Sequence, residues 1–379
     1  MSTVTTNNDR LVSLDTLRGF DMFWIIGGHE ILIALSAITS ANWLTWLLAR
    51  LEHPTWNGFE PYDLIFPLFL FIAGVSTPMS IASRRSRGAS NGKIYRHIIQ
   101  RGVLLVVLGT IYNGLPTDWT NASAWADVRY PSVLGRIGLA YMFAALIAMN
   151  TQLTGRLLTI VGLLLGYWAA LRFIPVPQFG ANDLLTPGHT LTDYIDRTLI
   201  RVGVLYQGDR DPEGIFATIP AIATALIGVI TGQMLMRTDH GGMRKTTTMV
   251  FSGLVCLGLG WAWSRESLVQ FHLNKNLWSS SFVLYCAGWS LLLLAIFYLV
   301  IDVWKIRWGT KLFVVIGANS IFIYMVGNFI GFDQIATNVF AGPASLTGVY
   351  GALVIVCGAL LIKWGLVYLM YSKKIFLKV

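Results

Sequence analysis

The chain has 379 residues, of which 55% are apolar and only 12% charged, with a mean hydropathy of +0.61. Soluble domains carry roughly a quarter charged residues, so this composition excludes a disordered chain, a coiled coil and a nucleic-acid-binding domain, and argues against a water-soluble enzyme. Lys and Arg exceed Asp and Glu by 28 to 19, giving +9; in a membrane protein such an excess is first of all expected in cytoplasmic loops.

The opening segment, MSTVTTNNDR, is polar. It lacks the basic stretch and short apolar core of a cleaved signal peptide, so insertion is expected to begin at the first apolar run. A helix needs about 20 apolar residues to cross the hydrocarbon layer. Ten runs qualify: 18–38, 62–82, 98–115, 133–150, 155–174, 214–236, 247–264, 281–301, 311–331 and 347–370. They are too long and too weakly alternating for barrel strands, and lipid requires a backbone that satisfies its own hydrogen bonds. The expected fold is all-α, a single transmembrane domain over 1–379 built from ten helices, here spans 1 to 10.

Loop charge orients the bundle. Arg84, Arg85, Arg87, Lys93 and Arg96 fall between spans 2 and 3 with no acid among them, which marks that loop as cytoplasmic. Arg156, the group Arg237, Arg244 and Lys245, the group Lys305, Arg307 and Lys311, and the tail with Lys373, Lys374 and Lys378 agree. Both termini are therefore expected inside. Segments 39–61, 116–132, 175–213 and 265–280 are expected outside, the longest folding over the outer mouth. Residues 332–346, free of Lys and Arg, read as a further outer loop. Cys256, Cys286 and Cys357 sit in or beside apolar runs without metal-ligand or disulfide spacing and read as apolar fillers.

Charges in or beside spans are informative, because one at the bilayer centre costs roughly 2.5–3.5 kcal/mol. Asp15 and Arg18 share a helix face at the inner entry of span 1, as an anchoring ion pair or a phosphate contact. Asp21 lies deeper, and His29 and Glu30 lie toward the outer end. In EHPTWNGFEPYDLIFP, His53 is held by Pro, Trp and Gly just before span 2. An imidazole there can be a solvated loop residue, a general base or an acyl-accepting nucleophile. Asp63 can cap span 2 or orient that ring. Arg136 falls inside the outer end of span 4. Asp211 and Glu213 precede span 6, where acids also complement a helix dipole. Lys275, Asn276, Trp278 and Ser281 precede or open span 8, and Asn319 and Ser320 lie in span 9. No phosphate-binding glycine loop, GxSxG elbow or HExxH zinc motif occurs, and no metal site is expected.

These residues make the chain similar to the heparan-α-glucosaminide N-acetyltransferase family of transmembrane acetyltransferases, which has many bacterial members. The matching stretches are RLVSLDTLRGF, HPTWNGFEPYDLIFPLFLFIAG, SVLGRIGLAY, DPEGIFATIPAI, NKNLWSSSFVLYCAGW and IGANSIFIY. They occur in family order over about 10–325. The resemblance implies transfer of acetyl from cytosolic acetyl-CoA to an amino-sugar amine across the membrane, with His53 in the active-site position. His29 stands where the family often has Asn, leaving a second imidazole available, with Asp63 beside them as the third catalytic candidate. Charge-assisted donors suit phosphate and thioester oxygens, so Arg18 is placed near the nucleotide and Arg136 and Lys275 near the acetyl or acceptor end. Asp15, Asn276, Trp278 (as a stacking surface), Ser281 and Asn319 complete the acetyl-CoA set. The expected setting is a bacterial inner membrane, with lipid as a partner, no nucleic acid, and a homodimer on family grounds. Two other readings stay open: an O-acyltransferase of a cell-envelope glycan, and a small-molecule transporter.

Overall fold

The computed structural model describes residues 11–39, 41–177, 179–180, 183–200, 202–265 and 270–377. The polar tail 1–10 and Lys378 lie outside them. Every regular element among the described residues is helical. Nine helices there are long and apolar enough to cross a membrane, and one bent pair brings the number to ten. The spans are Val12–Ser36, Pro61–Ser86, Asn91–Asn113, Val133–Asn150, Leu153–Phe173, Thr218–Met236, Gly242–Arg265, Ser280–Val303, the pair Thr310–Ala318 and Ser320–Phe329, and Gly348–Ser372.

Three features depart from simple straight rods. Span 1 loosens into a π-helical turn over Trp24–Gly28 before resuming at His29. Span 9 is not one helix over 311–331 but bends by 70° at Asn319. The side chain of Asn319 stabilises the break by donating to the Ile375 carbonyl and accepting from the Leu377 amide. The expected loop at 332–346 is instead a helix, Phe332–Leu346, which lays Phe340 over Gly358 of span 10. Only Phe332, Ala336 and Ala344 of this helix are buried, so most of its surface is an exposed apolar or uncharged face.

Spans 2 and 6 form the centre. Gly74, Gly228 and Gly232 bring their backbones together; a methyl group at Gly228 would overlap the Phe71 carbonyl, and one at Gly232 the Val75 carbonyl. Small residues four apart permit this approach where lipid offers no hydrophobic drive for association. Gly19 and Gly317 do the same for spans 1 and 9. Span 2 then runs from the His53 loop at one end to Arg84 and Arg85 at the other, about 33 Å for a 22-residue helix.

Gly228→Val should lower the thermal midpoint of the detergent-solubilised protein sharply, since overpacking costs about 1–3 kcal/mol or more when a backbone must yield. An unchanged midpoint would show that spans 2 and 6 do not meet this closely.

Candidate active site

The His53 loop is fixed before it reaches the membrane. Gly58 donates its amide to the Leu273 carbonyl at 2.8 Å, and Asn274 donates its side-chain amide to Asn57 at 3.0 Å. Gly58 has φ of 137° and its position lies against Pro54, a conformation glycine allows and larger residues resist. Trp56 donates its indole N–H to the Leu184 carbonyl. The HPTWNG and NKNLWS stretches, far apart in sequence, are thus one structural unit.

At that junction His53, Asp63 and Lys275 converge. The Nδ1 of His53 is 2.6 Å from Asp63 Oδ1. Lys275 Nζ is 2.9 Å from His53 Nε2 and 3.6 Å from Asp63 Oδ1. Asp63 is buried, its side chain 1% exposed, whereas the imidazole is 46% exposed. The second Asp63 oxygen accepts from the Glu60 amide at 3.0 Å, closing a capping box at the start of span 2. One carboxylate therefore caps the helix and orients the ring. With Nδ1–H donated to Asp63, the lone pair of the imidazole lies on Nε2. Burial pulls the Lys275 ammonium below the usual lysine range, with Asp63 opposing.

Two cavities meet at this imidazole. One, of about 170 Å³, is largely apolar and runs into the bundle past Met22, Ile25, Phe69, Ile137 and Ile321. The other, of about 340 Å³, is a polar cleft bounded by Trp56, Asn113, Arg129, Gln207 and Asn276. His53, Val133, Glu213, Lys275 and Tyr324 line both. A separate cavity of about 530 Å³, lined by Arg85 and Arg156, opens at the other end of span 2 and shares no residue with these two.

The remaining candidates fall elsewhere. His29 is separated from His53 by Tyr62, whose ring lies 5.4 Å from one imidazole and 5.3 Å from the other. Trp278 is fully buried, packed on Phe66 at 4.7 Å and under the Arg136 guanidinium at 5.1 Å, so it has no face for a sugar. Arg136 is buried behind those rings and donates to the Gly214 carbonyl. It supports the DPEG turn rather than lining a cavity. Ser281 is consumed by the Phe271 and His272 carbonyls. Asn319 holds the C-terminal segment. Arg18 lies 3.6 Å from Asp15 and donates to Ser76 at 2.8 Å, at the basic end of the molecule. Asp21 is buried, and its Oδ2 has no hydrogen-bond partner among the described residues.

Three groups escaped the sequence reading. Tyr62 stands between the two imidazoles. Arg129 joins the loop before span 4 to the loop before span 6 by pairing with Asp211 through two bonds of 2.7 Å and with Glu213 at 2.5 Å. Asp196 lies beneath the same turn, where its Oδ1 accepts from the Ile215 amide at 2.8 Å and Gly214 leaves room for its other oxygen. The only hint of this cluster in the sequence was its density of acids, which a helix dipole also accounts for.

A sequence model of the heparan-alpha-glucosaminide N-acetyltransferase catalytic family matches residues 10–271. The chain belongs to this family. The human heparan-alpha-glucosaminide N-acetyltransferase is 30% identical in an alignment of 424 residues that covers 98% of this chain and 60% of the human protein. The mouse protein of the same name is 30% identical over 365 residues, covering 84% of this chain and 53% of its own length. The chain therefore spans little more than half the length of these relatives. The matched region contains His53, Asp63 and Glu213 and stops four residues short of Lys275.

Burial raises the Asp196 carboxyl to about 7, against the opposing pull of the Ile215 amide and Arg136. The folded protein thus holds a proton that the unfolded chain, with an ordinary carboxyl, releases near pH 4. Its contribution to stability is complete below that value and is lost as pH rises through about 7. The thermal midpoint should accordingly fall between pH 5 and pH 8 by less in Asp196→Asn than in the parent; equal slopes would place the buried proton elsewhere.

Proposed function

We propose that this protein is a transmembrane N-acetyltransferase, which moves acetyl from acetyl-CoA on the basic, cytoplasmic side to the amine of an amino sugar on the opposite side, with His53 as the reacting group. The reading rests on one observation above all: an Asp-oriented, exposed imidazole stands where an apolar cavity from the bundle meets a polar cleft. Family membership supports the reaction class, and the relatives' name supplies the amino sugar. The multi-pass fold suits a cytoplasmic membrane, with Arg84, Arg85 and Arg87 facing inward.

Coenzyme A is polyanionic and is excluded from lipid. Its nucleotide stays at the basic end, with Arg18 as the phosphate contact, and only the slender pantetheine arm enters the apolar cavity. Lys275 gives up its contact with Nε2, and the thioester carbonyl is then presented to the lone pair so freed. In a covalent route, Nε2 attacks that carbonyl, the C–S bond breaks, and acetyl rests on the imidazole until the amine takes it. In a direct route, Nε2 removes a proton from the amine as nitrogen attacks the thioester. Both give the same balance: acetyl-CoA and a protonated amine yield the amide, the free thiol and one proton released to water.

Asp63 serves either route by fixing the tautomer and stabilising the imidazolium. Lys275 supplies a positive charge beside Nε2, where the carbonyl oxygen gains negative charge in the transition state. Asn276, on the polar wall, stands ready to contact the acceptor.

His53→Ala should abolish acetyl transfer to glucosamine while the purified protein keeps its thermal midpoint; turnover at the parental rate would overturn the site. Asp63→Asn should lower kcat by about 10²- to 10⁴-fold, the usual worth of positioned acid–base catalysis. Rapid-quench mass spectrometry with acetyl-CoA alone decides between the routes: an acetylated His53 peptide is expected for the covalent one, and its absence in a fully active preparation removes it.

A further inference from the structure

The three carboxylates around the polar cleft do not carry equal duties. Asp63 has both oxygens engaged, by His53 and by the Glu60 amide. Asp211 is wholly buried: Oδ2 accepts from Arg129 Nε and the Tyr206 amide, and Oδ1 from the second Arg129 nitrogen and the Glu213 amide. Glu213 differs. Its side chain is 14% exposed, its Oε2 takes one Arg129 nitrogen at 2.5 Å, and its Oε1 has no hydrogen-bond partner among the described residues. It lines both cavities beside His53 and Lys275.

The hydrogen bonds of the nearby cations account for only one of its oxygens. Asp211 takes two parallel bonds from the Arg129 guanidinium, the preferred geometry for that pair, while Asn113 and Glu213 accept from its other N–H groups. Lys275 is held between His53 and Asp63. Arg136 is sealed behind Phe66 and Trp278 and donates to the Gly214 carbonyl. Glu213 also serves as counter-charge to the buried Arg136, yet its Oε1 stays without a hydrogen bond among the described residues. Glu213 itself lines the wall of the cleft that it shares with the reacting imidazole.

We propose that Glu213 is the acceptor-binding carboxylate, which receives the protonated primary amine of the acceptor and holds it beside His53. The choice of ligand rests on the acetyl-transfer reading of this site. An ammonium carries three donors and no acceptor; Glu213 Oε1 takes one of them as a charge-assisted bond. A hydroxyl in the same place offers neither the charge nor the extra donors, so Glu213 selects amines over alcohols. The amine sheds its proton to water in the open cleft before or as nitrogen attacks, leaving the carboxylate to bind the next ammonium.

The test uses the purified full chain with two readouts. Isothermal titration compares glucosamine with glucose as ligands, and steady-state kinetics follows acetyl transfer from acetyl-CoA to glucosamine. In Glu213→Gln the KM for glucosamine should rise about 10-fold or more, the usual worth of a hydrogen bond to a charged group, while the KM for acetyl-CoA moves less than about two-fold. The preference for glucosamine over glucose in binding should vanish, and Glu213→Asp should restore part of it. A purely structural role would weaken both sugars and acetyl-CoA together. An unaltered preference in Glu213→Gln, or no preference in the parent, overturns the proposal. A parent that binds glucosamine through Glu213 but transfers no acetyl would sink the enzymatic reading and leave the amine site standing.

Discussion

A carboxylate buried at the start of a span is the constraint around which the His53 end of this protein is arranged. Removing Asp63 from water costs several kcal/mol unless partners replace the lost hydration. Those partners come from three places: the loop before span 2, the first turn of span 2 and the turn before span 8. None could hold position alone. The amide of Gly58 and the side chain of Asn57 tie the first to the third, so satisfying one anion also sets the orientation of an exposed imidazole. Packing and chemistry share the same hydrogen bonds here.

The two cavities give that imidazole its meaning. A water-filled channel open at both ends would leak ions and hydrolyse a thioester. Here the cavity that reaches into the bundle is small and apolar, lined by side chains such as Ile137 and Ile321, and charged groups appear only at its His53, Lys275 and Glu213 end. In the proposed reaction a flexible, weakly polar arm enters from one direction and a hydrophilic sugar from the other, and both arrive at a single nitrogen. The cationic and anionic groups at the junction are kept apart by their pairings, Lys275 with Asp63 and Arg129 with Asp211, so the site is dense in charge without being collapsed.

The spans were readable from sequence because a run of about 20 apolar residues has few other uses, and the meeting of His53 with Asp63 was suggested by a polar ring followed by Pro, Trp and Gly at the edge of a span. The direction in which a polar side chain points was not readable. Arg136, Trp278, Ser281 and Asn319 look like ligand contacts in a linear motif, yet each is spent on another part of the fold: a carbonyl at Gly214, an aromatic stack, a turn before span 8, the C-terminal segment. The bend in span 9 was hidden as well, since Ala-Asn-Ser contains no proline and its break is stabilised by a segment more than fifty residues away. Arg129 was overlooked because its partners lie in a different loop, a pairing that periodicity does not encode.

The contrast between the central glycine seam and the interrupted spans has a mechanical consequence. Sliding span 2 along span 6 would drive carbonyl oxygens into the α-carbons they already touch, so this pair behaves as a fixed post. Spans 1 and 9, which form the opposite wall of the apolar cavity through Met22, Ile25, Ile321 and Tyr324, each have a weakened hydrogen-bond ladder next to those residues, at Trp24–Gly28 and at Asn319. Deformation is cheapest at such defects. If the proposed acetyl transfer holds, admission of a long thioester arm and escape of the spent thiol fall to the flank that can flex, while the His53 imidazole stays anchored to the stationary one.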